Sequence, residues 1–172
     1  MPLSARLTTT IVAGLLATSV ALAQEPPREI LLKDQFGHVD GPGRHRGQAL
    51  LLIYGKVEGM RRMKAWEESI RERMPGPLLV LRGLDARPAR GQKTEAEVND
   101  RLQQNVPSDI AILVDWTGAL VRAYRLPDAV VSATVLDGTA KACHTVAGPV
   151  TPEGAETIRR VLERAREAGT CP

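Results

Sequence analysis

Ala49-Leu50-Leu51-Leu52-Ile53-Tyr54 is the stretch on which the fold turns. Six consecutive apolar or aromatic residues without alternation are the pattern of a strand covered on both faces, as at the centre of a sheet flanked by helices. Downstream, Met63, Trp66, Ile70 and Met74 recur at helical spacing with Arg, Lys and Glu between them, which predicts a helix from about Met60 to Arg73. Pro75-Gly76-Pro77 ends it, and Leu78 to Leu81 reads as a second buried strand. Strand, helix, strand in this order makes a parallel pair by right-handed crossover.

Working outward, Arg28 to Asp34 reads as a strand closed by a turn at Gln35-Phe36-Gly37. Arg82 to Lys93 is polar, marked by Gly and Pro, and reads as a surface loop. Thr94 and Glu97 form a capping box that opens a helix burying Val98 and Leu102 and ending before Pro107. Ile110 to Val114 is a third buried strand, turned by Asp115-Trp116-Thr117-Gly118. The pattern over Ala119 to Tyr124 fits a short helix or a strand equally. Val130 to Leu136 and Lys141 to Val146 flank Asp137-Gly138 as a hairpin. Thr151 caps a last helix opened by Pro152, with Ile158, Val161, Leu162 and Ala165 inward and Gly169 as its stop. The sum is an α/β sandwich of three layers, a mixed β-sheet flanked by helices.

Met1 to Ala23 has the parts of a secretory signal: Arg6, an apolar stretch from Ile11 to Leu22, and Ala21-Leu22-Ala23 before Gln24. Residues 1–23 are therefore expected to be a cleaved signal peptide and 24–172 a single domain, exported to the periplasm and without stable membrane insertion after cleavage. The chain has 23 Lys and Arg against 20 Asp and Glu, and removing Arg6 brings the balance closer to even. The basic residues are scattered, without interleaved aromatics on which bases could stack, so no nucleic-acid partner is expected.

With these elements placed, the chain resembles the thioredoxin-like superfamily in its redoxin branch, the thiol-specific antioxidant and periplasmic thiol:disulfide interchange proteins. The likeness lies in Leu32-Lys33-Asp34-Gln35-Phe36-Gly37, Gly47 with the Ala49 to Tyr54 strand, Leu113 to Gly118, Ala123-Tyr124-Arg125-Leu126-Pro127, and Ala133 to Gly138. It is similar in particular to small periplasmic proteins of the YtfJ type, which look like redoxins but lack the paired thiols. The resemblance implies a thioredoxin-like fold with a degenerate redox site. Glu58 and Arg61 stand where the two cysteines of Cys-x-x-Cys would fall, so the helix that follows has no thiol for its dipole to activate. Ser132 stands where the resemblance places a cis-proline, and a non-proline cis bond costs ~3 kcal/mol, so a trans peptide is expected there.

The two cysteines, Cys143 and Cys171, are too far apart in sequence for a Cys-x-x-Cys motif. A last helix of some seventeen residues returns the chain by ~25 Å, past the start of the preceding strand. A disulfide between them is expected, and in the chain-entropy model it contributes roughly 3 to 4 kcal/mol. A displaced redox couple, or a reactive Cys143 beside His144, is the alternative, although consecutive strand residues point to opposite faces. Metal binding by Cys143, His144, His38 and His45 lacks ligand spacing, and neither a metal nor another cofactor is expected. Glu58 and Arg61, three apart, are expected on one helix face, as a surface pair worth a few tenths of a kcal/mol or as a ligand anchor. Met60, Met63 and Met74 read as core packing. No Ser-His-Asp order, paired carboxylates or phosphate loop stands out. The functional expectation is a binding or assembly protein using the surface around Glu58, Met60, Arg61 and Ser132, with a periplasmic protein as partner. The alternative is an oxidoreductase or antioxidant using Cys143 and Cys171.

Overall fold

The computed structural model describes residues 29–87 and 91–172. The expected signal peptide, Met1 to Ala23, and its cleavage point lie outside the described residues. The apolar run forms β3, Leu50–Gly55, buried along its whole length. It pairs in parallel with β4, Val80–Asp85, and antiparallel with β6, Val131–Leu136. With β5, Leu113–Asp115, and β7, Ala142–Ala147, the sheet has the order β5-β4-β3-β6-β7, so β3 is its centre.

The two faces of β3 bury different clusters. Ala49, Leu51 and Ile53, with Val131, Ala133 and Val135 of β6, pack against Met63, Trp66 and Ile70 of α1, Met60–Arg73, and Ile158, Leu162 and Ala165 of α4, Pro152–Ala168. Leu50, Leu52 and Tyr54 pack against Leu120 and Tyr124 of α3, Ala119–Tyr124. Each such large apolar side chain removed from water contributes ~1.5 to 3 kcal/mol. The Trp66 indole N–H is also satisfied, donating to the Gly148 carbonyl at 2.9 Å. The capping box of α2, Glu95–Asn105, forms as expected: the Glu97 amide donates to Thr94 Oγ1 at 3.2 Å and the Thr94 amide to Glu97 Oε2 at 2.7 Å.

Two expectations are corrected, and one left open is decided. The strand expected over Arg28 to Asp34 shrinks to β1, Leu32–Lys33, which pairs only with β2, Val39–Asp40, in a separate two-stranded sheet. The second buried strand begins later and runs further than Leu78 to Leu81, so Arg82 to Asp85 is sheet and not loop. Arg82 is tolerated there because its guanidinium reaches Glu67 of α1 with both Nε, at 2.7 Å, and Nη2, at 2.5 Å. Gly83 is tolerated because the Tyr54 ring lies over it, where an added Cβ would come within 2.7 Å of the ring. Ala119 to Tyr124, which the pattern leaves open, is helix, because Asp115 accepts the amides of Ala119 and Leu120, both at 2.9 Å, and so supplies the missing cap. The expected hairpin forms, β6 pairing antiparallel with β7 across the loop that begins at Asp137. The Asp137 carboxylate organises that loop by accepting from the amides of Thr139 at 2.9 Å and Lys141 at 3.0 Å, and Ala140 takes the left-handed position, with φ 65°.

Candidate functional site

The C-terminal end of β3 leads through a 3-10 turn, Val57–Gly59, into α1. Gly59 is required here, since a Cβ on it would collide with the Val130 carbonyl oxygen, and Lys56 also donates its amide to that oxygen at 2.9 Å. The start of α1 has neither a side-chain cap nor an acidic residue in its first turn. The 3-10 turn takes the Gly59 and Met60 amides on the Lys56 and Val57 carbonyls, and exposed Arg61 and Arg62 add two full positive charges to the positive end of the helix. Among the described residues neither arginine makes an ion pair.

Glu58 and Arg61 do not lie in one α-helix as expected. Glu58 belongs to the 3-10 turn and precedes α1, both side chains are exposed, and no Glu58–Arg61 ion pair forms among the described residues. Lys56 instead pairs with Asp128 at 2.8 Å. Met60 is half-buried and adjoins both the α1/α4 core and the cluster under α2. Ser132 is corrected as a surface residue: it is only 2 % exposed and lies with Tyr54 on the α3 side of the sheet, its hydroxyl 3.5 Å from the Tyr54 carbonyl oxygen. The peptide before it is trans, the described residues containing no cis bond. The residue that touches the start of α1 is Val130, just before β6, with Val131 in the cluster that holds Met63. Alternation explains the shift, because neighbouring strand residues point to opposite faces.

Beneath that region lies a polar cluster missed by the sequence reading. Tyr54, Asp85 and Asp115 meet at the C-terminal ends of β3, β4 and β5, where Asp85 and Asp115 are register partners. Arg87 donates to Asp85 from Nε at 2.8 Å and Nη2 at 2.7 Å, and the Tyr54 hydroxyl lies 3.4 Å from Asp115. Burial alone would push the Asp85 carboxyl up, but the hydrogen bonds and charge of Arg87 outweigh it and hold the group below the usual carboxylate range. Burial first, then the Asp115 and Asp85 charges, raise the Tyr54 phenol far above its ordinary value, so it stays protonated. Every carboxylate oxygen is engaged: those of Asp115 cap α3 and those of Asp85 hold Arg87. The cluster fixes structure and has no idle base. In the sequence Asp115 reads as a turn residue and Asp85 as part of a loop, so only their register in the sheet brings them together.

The cysteines sit elsewhere. Cys143 of β7 and Cys171 beyond α4 form a disulfide, with 5.1 Å between their Cα atoms. In the sheet, Gly55 pairs with Val131 at the α1 end, while Leu50 pairs with Leu136 and Leu136 with Ala142 at the other end. The disulfide is therefore at the opposite end of the strands from the α1 start, some five strand residues away, or ~17 Å along them. His38 and His45 approach Asp34 at 3.2 Å and Asp40 at 3.0 Å. Among the described residues the one three-residue group within metal-ligating reach is Asp137, Cys143 and Cys171, whose sulfurs are bonded to each other.

A mixed five-stranded sheet between helices, with the parallel strands leading into α1, is the thioredoxin-like fold. Structural similarity to solved thioredoxin-like redox proteins bears this out. The exposed lipoprotein thioredoxin Etrx1 of Streptococcus pneumoniae matches with a TM-score of 0.60 at 15% identity, over 76% of this chain and 98% of that one. StoA of Bacillus subtilis gives 0.56 at 18% identity, over 78% and 96%. A secreted disulfide oxidoreductase of Mycobacterium tuberculosis gives 0.52 at 9% identity, over 78% and 95%. No family model matches the sequence, and no curated protein does.

Proposed function

We propose that this chain is an exported thioredoxin-like binding or assembly protein that carries out no thiol:disulfide exchange and works in the periplasm with a protein partner. The observation that carries the reading is the separation of sulfur from scaffold. The start of α1, where the resemblance would put a nucleophile, presents Glu58 and Arg61, while both sulfurs are joined at the far end of the strands. Export is supported by the signal-like residues 1–23 and by similar proteins that are named as exposed or secreted. Glu58, Met60 and Arg61 form the contact surface, and buried Ser132 takes no part in it.

Insulin-reduction and peroxide assays on the purified protein test the reading. No turnover above background is expected, with a Cys143→Ser protein indistinguishable in both. Turnover that Cys143→Ser abolishes would overturn it in favour of an oxidoreductase or antioxidant using Cys143 and Cys171.

A further inference from the structure

A cavity of about 190 Å³ opens between the first half of α1 and the segment that follows α2. Its floor is apolar, made by Met60, Met63, Val106, Pro107, Ile110 and Ile112. Its rim is cationic. Arg61, Lys64 and Arg82 stand there against a single carboxylate, Glu67, whose charge is already taken by Arg82 and by Arg71 at 2.8 Å. Arg61 has no ion-pair partner among the described residues, and Lys64 has only an exposed contact with Glu68 at 3.5 Å.

From this juxtaposition we infer that the α1–α2 cavity docks a peptide segment of a partner protein in which an apolar side chain is flanked by carboxylates. The volume is below the ~300 Å³ at which sites for whole small molecules begin, and suits one side chain. The two thioethers let the floor adapt to the shape of that side chain. The unpaired charge of Arg61, with Lys64 held only by an exposed contact to Glu68, selects acidic flanks and rejects basic ones. The inference deepens the binding reading and rests on it for the kind of partner. Its test reads binding alone, so a failure of the redox assays and a failure here remain distinguishable.

The experiment is an NMR titration of the ¹⁵N-labelled processed protein with a capped peptide, Asp-Glu-Leu-Leu-Asp-Glu. The same peptide with serines for leucines, the same with lysines for its acidic residues, and hexanoate serve as comparison probes. The acidic apolar peptide is expected to shift the amides of Met60, Arg61, Val106 and Ile110, and to bind at least fivefold more tightly than either altered peptide. Reversing the rim with Arg61→Glu and Lys64→Glu, both exposed positions, weakens binding by about five- to tenfold. Raising salt from 50 to 500 mM weakens binding to the unaltered protein as well, which tests the charge requirement without any variant. Equal binding of acidic and basic peptides, absence of shifts at these amides, or salt-independent affinity overturns the inference. Hexanoate saturating these amides while the peptide leaves them unmoved overturns it in favour of a small amphiphile.

Discussion

Replacing both Cys143 and Cys171 by serine removes a cross-link between positions 28 apart in sequence. For a loop of that length, the loss of constraint on the unfolded chain amounts to about 3.5 kcal/mol at 25 °C. In a domain of about 150 residues each kcal/mol moves the melting temperature by ~2 to 4 °C, so a fall of ~7 to 14 °C follows. The hydrogen bonds around the cross-link do not depend on it. The Cys171 amide donates to Asp137 Oδ2 at 2.9 Å and the Gly138 amide to the Gly169 carbonyl at 3.2 Å, neither through sulfur. Substituting both cysteines together avoids the unpaired thiol that a single replacement would leave. Calorimetry of the oxidised protein and the double variant under identical conditions reads the difference. A shift under 2 °C would refute the reasoning, since the tail would then be pinned by Asp137 and Gly138 alone. Unchanged peptide binding by the variant is expected too, because the bond lies at the opposite end of the strands from the α1 start.

Gly59→Ala drives a Cβ against the Val130 carbonyl, a backbone atom with no freedom to swing away. Overpacking of this kind costs ~1 to 3 kcal/mol, readable as a lowered urea midpoint, and a loss below 0.5 kcal/mol would show that the α1 start and β6 are not held together as described. The Asp85 carboxyl is held below its ordinary value, so its contribution is present above the unfolded-state pKa of ~3.9 and is lost as pH falls through the folded value. Urea midpoints should therefore drop between pH 5 and pH 2.5, and Asp85→Asn should lower stability at pH 6 while flattening that drop. An equally steep acid limb in the variant would assign it to other carboxylates.

Much of the fold is legible in the sequence because its signals are local and strong. Ala49 to Tyr54 announces a central strand by being apolar without alternation, α1 runs over the residues its spacing predicts, and Thr94 with Glu97 fixes the start of α2. Elements whose identity depends on a distant partner are misread. Arg82 and Gly83 look like loop residues until Glu67 and the Tyr54 ring are placed against them. Ala119 to Tyr124 stays ambiguous until the Asp115 carboxylate is seen to cap it. At the site, the positions of Glu58 and Arg61 follow from the resemblance, but the side of the sheet that Ser132 occupies depends on β6 register to a single residue. The floor of the α1–α2 cavity is illegible for the same reason, since Ile110 and Ile112 reach Met60 and Met63 only through the tertiary fold.

The electrostatics at the start of α1 bear on why such a scaffold would serve for binding. A helix start without a side-chain cap and with Arg61 and Arg62 in its first turn is a field that would favour a thiolate, were a thiol there. Glu58 is the only acidic side chain between Lys56 and Lys64, and it is exposed and unpaired among the described residues. A positive field acts on charge and is indifferent to nucleophilicity. What would activate sulfur in a redox protein equally attracts any anion carried in by a partner, and Met60 brings that field to the mouth of an apolar cavity. On the reading proposed above, the same backbone geometry supports exchange chemistry or charged recognition according to the residues at positions 58 and 61.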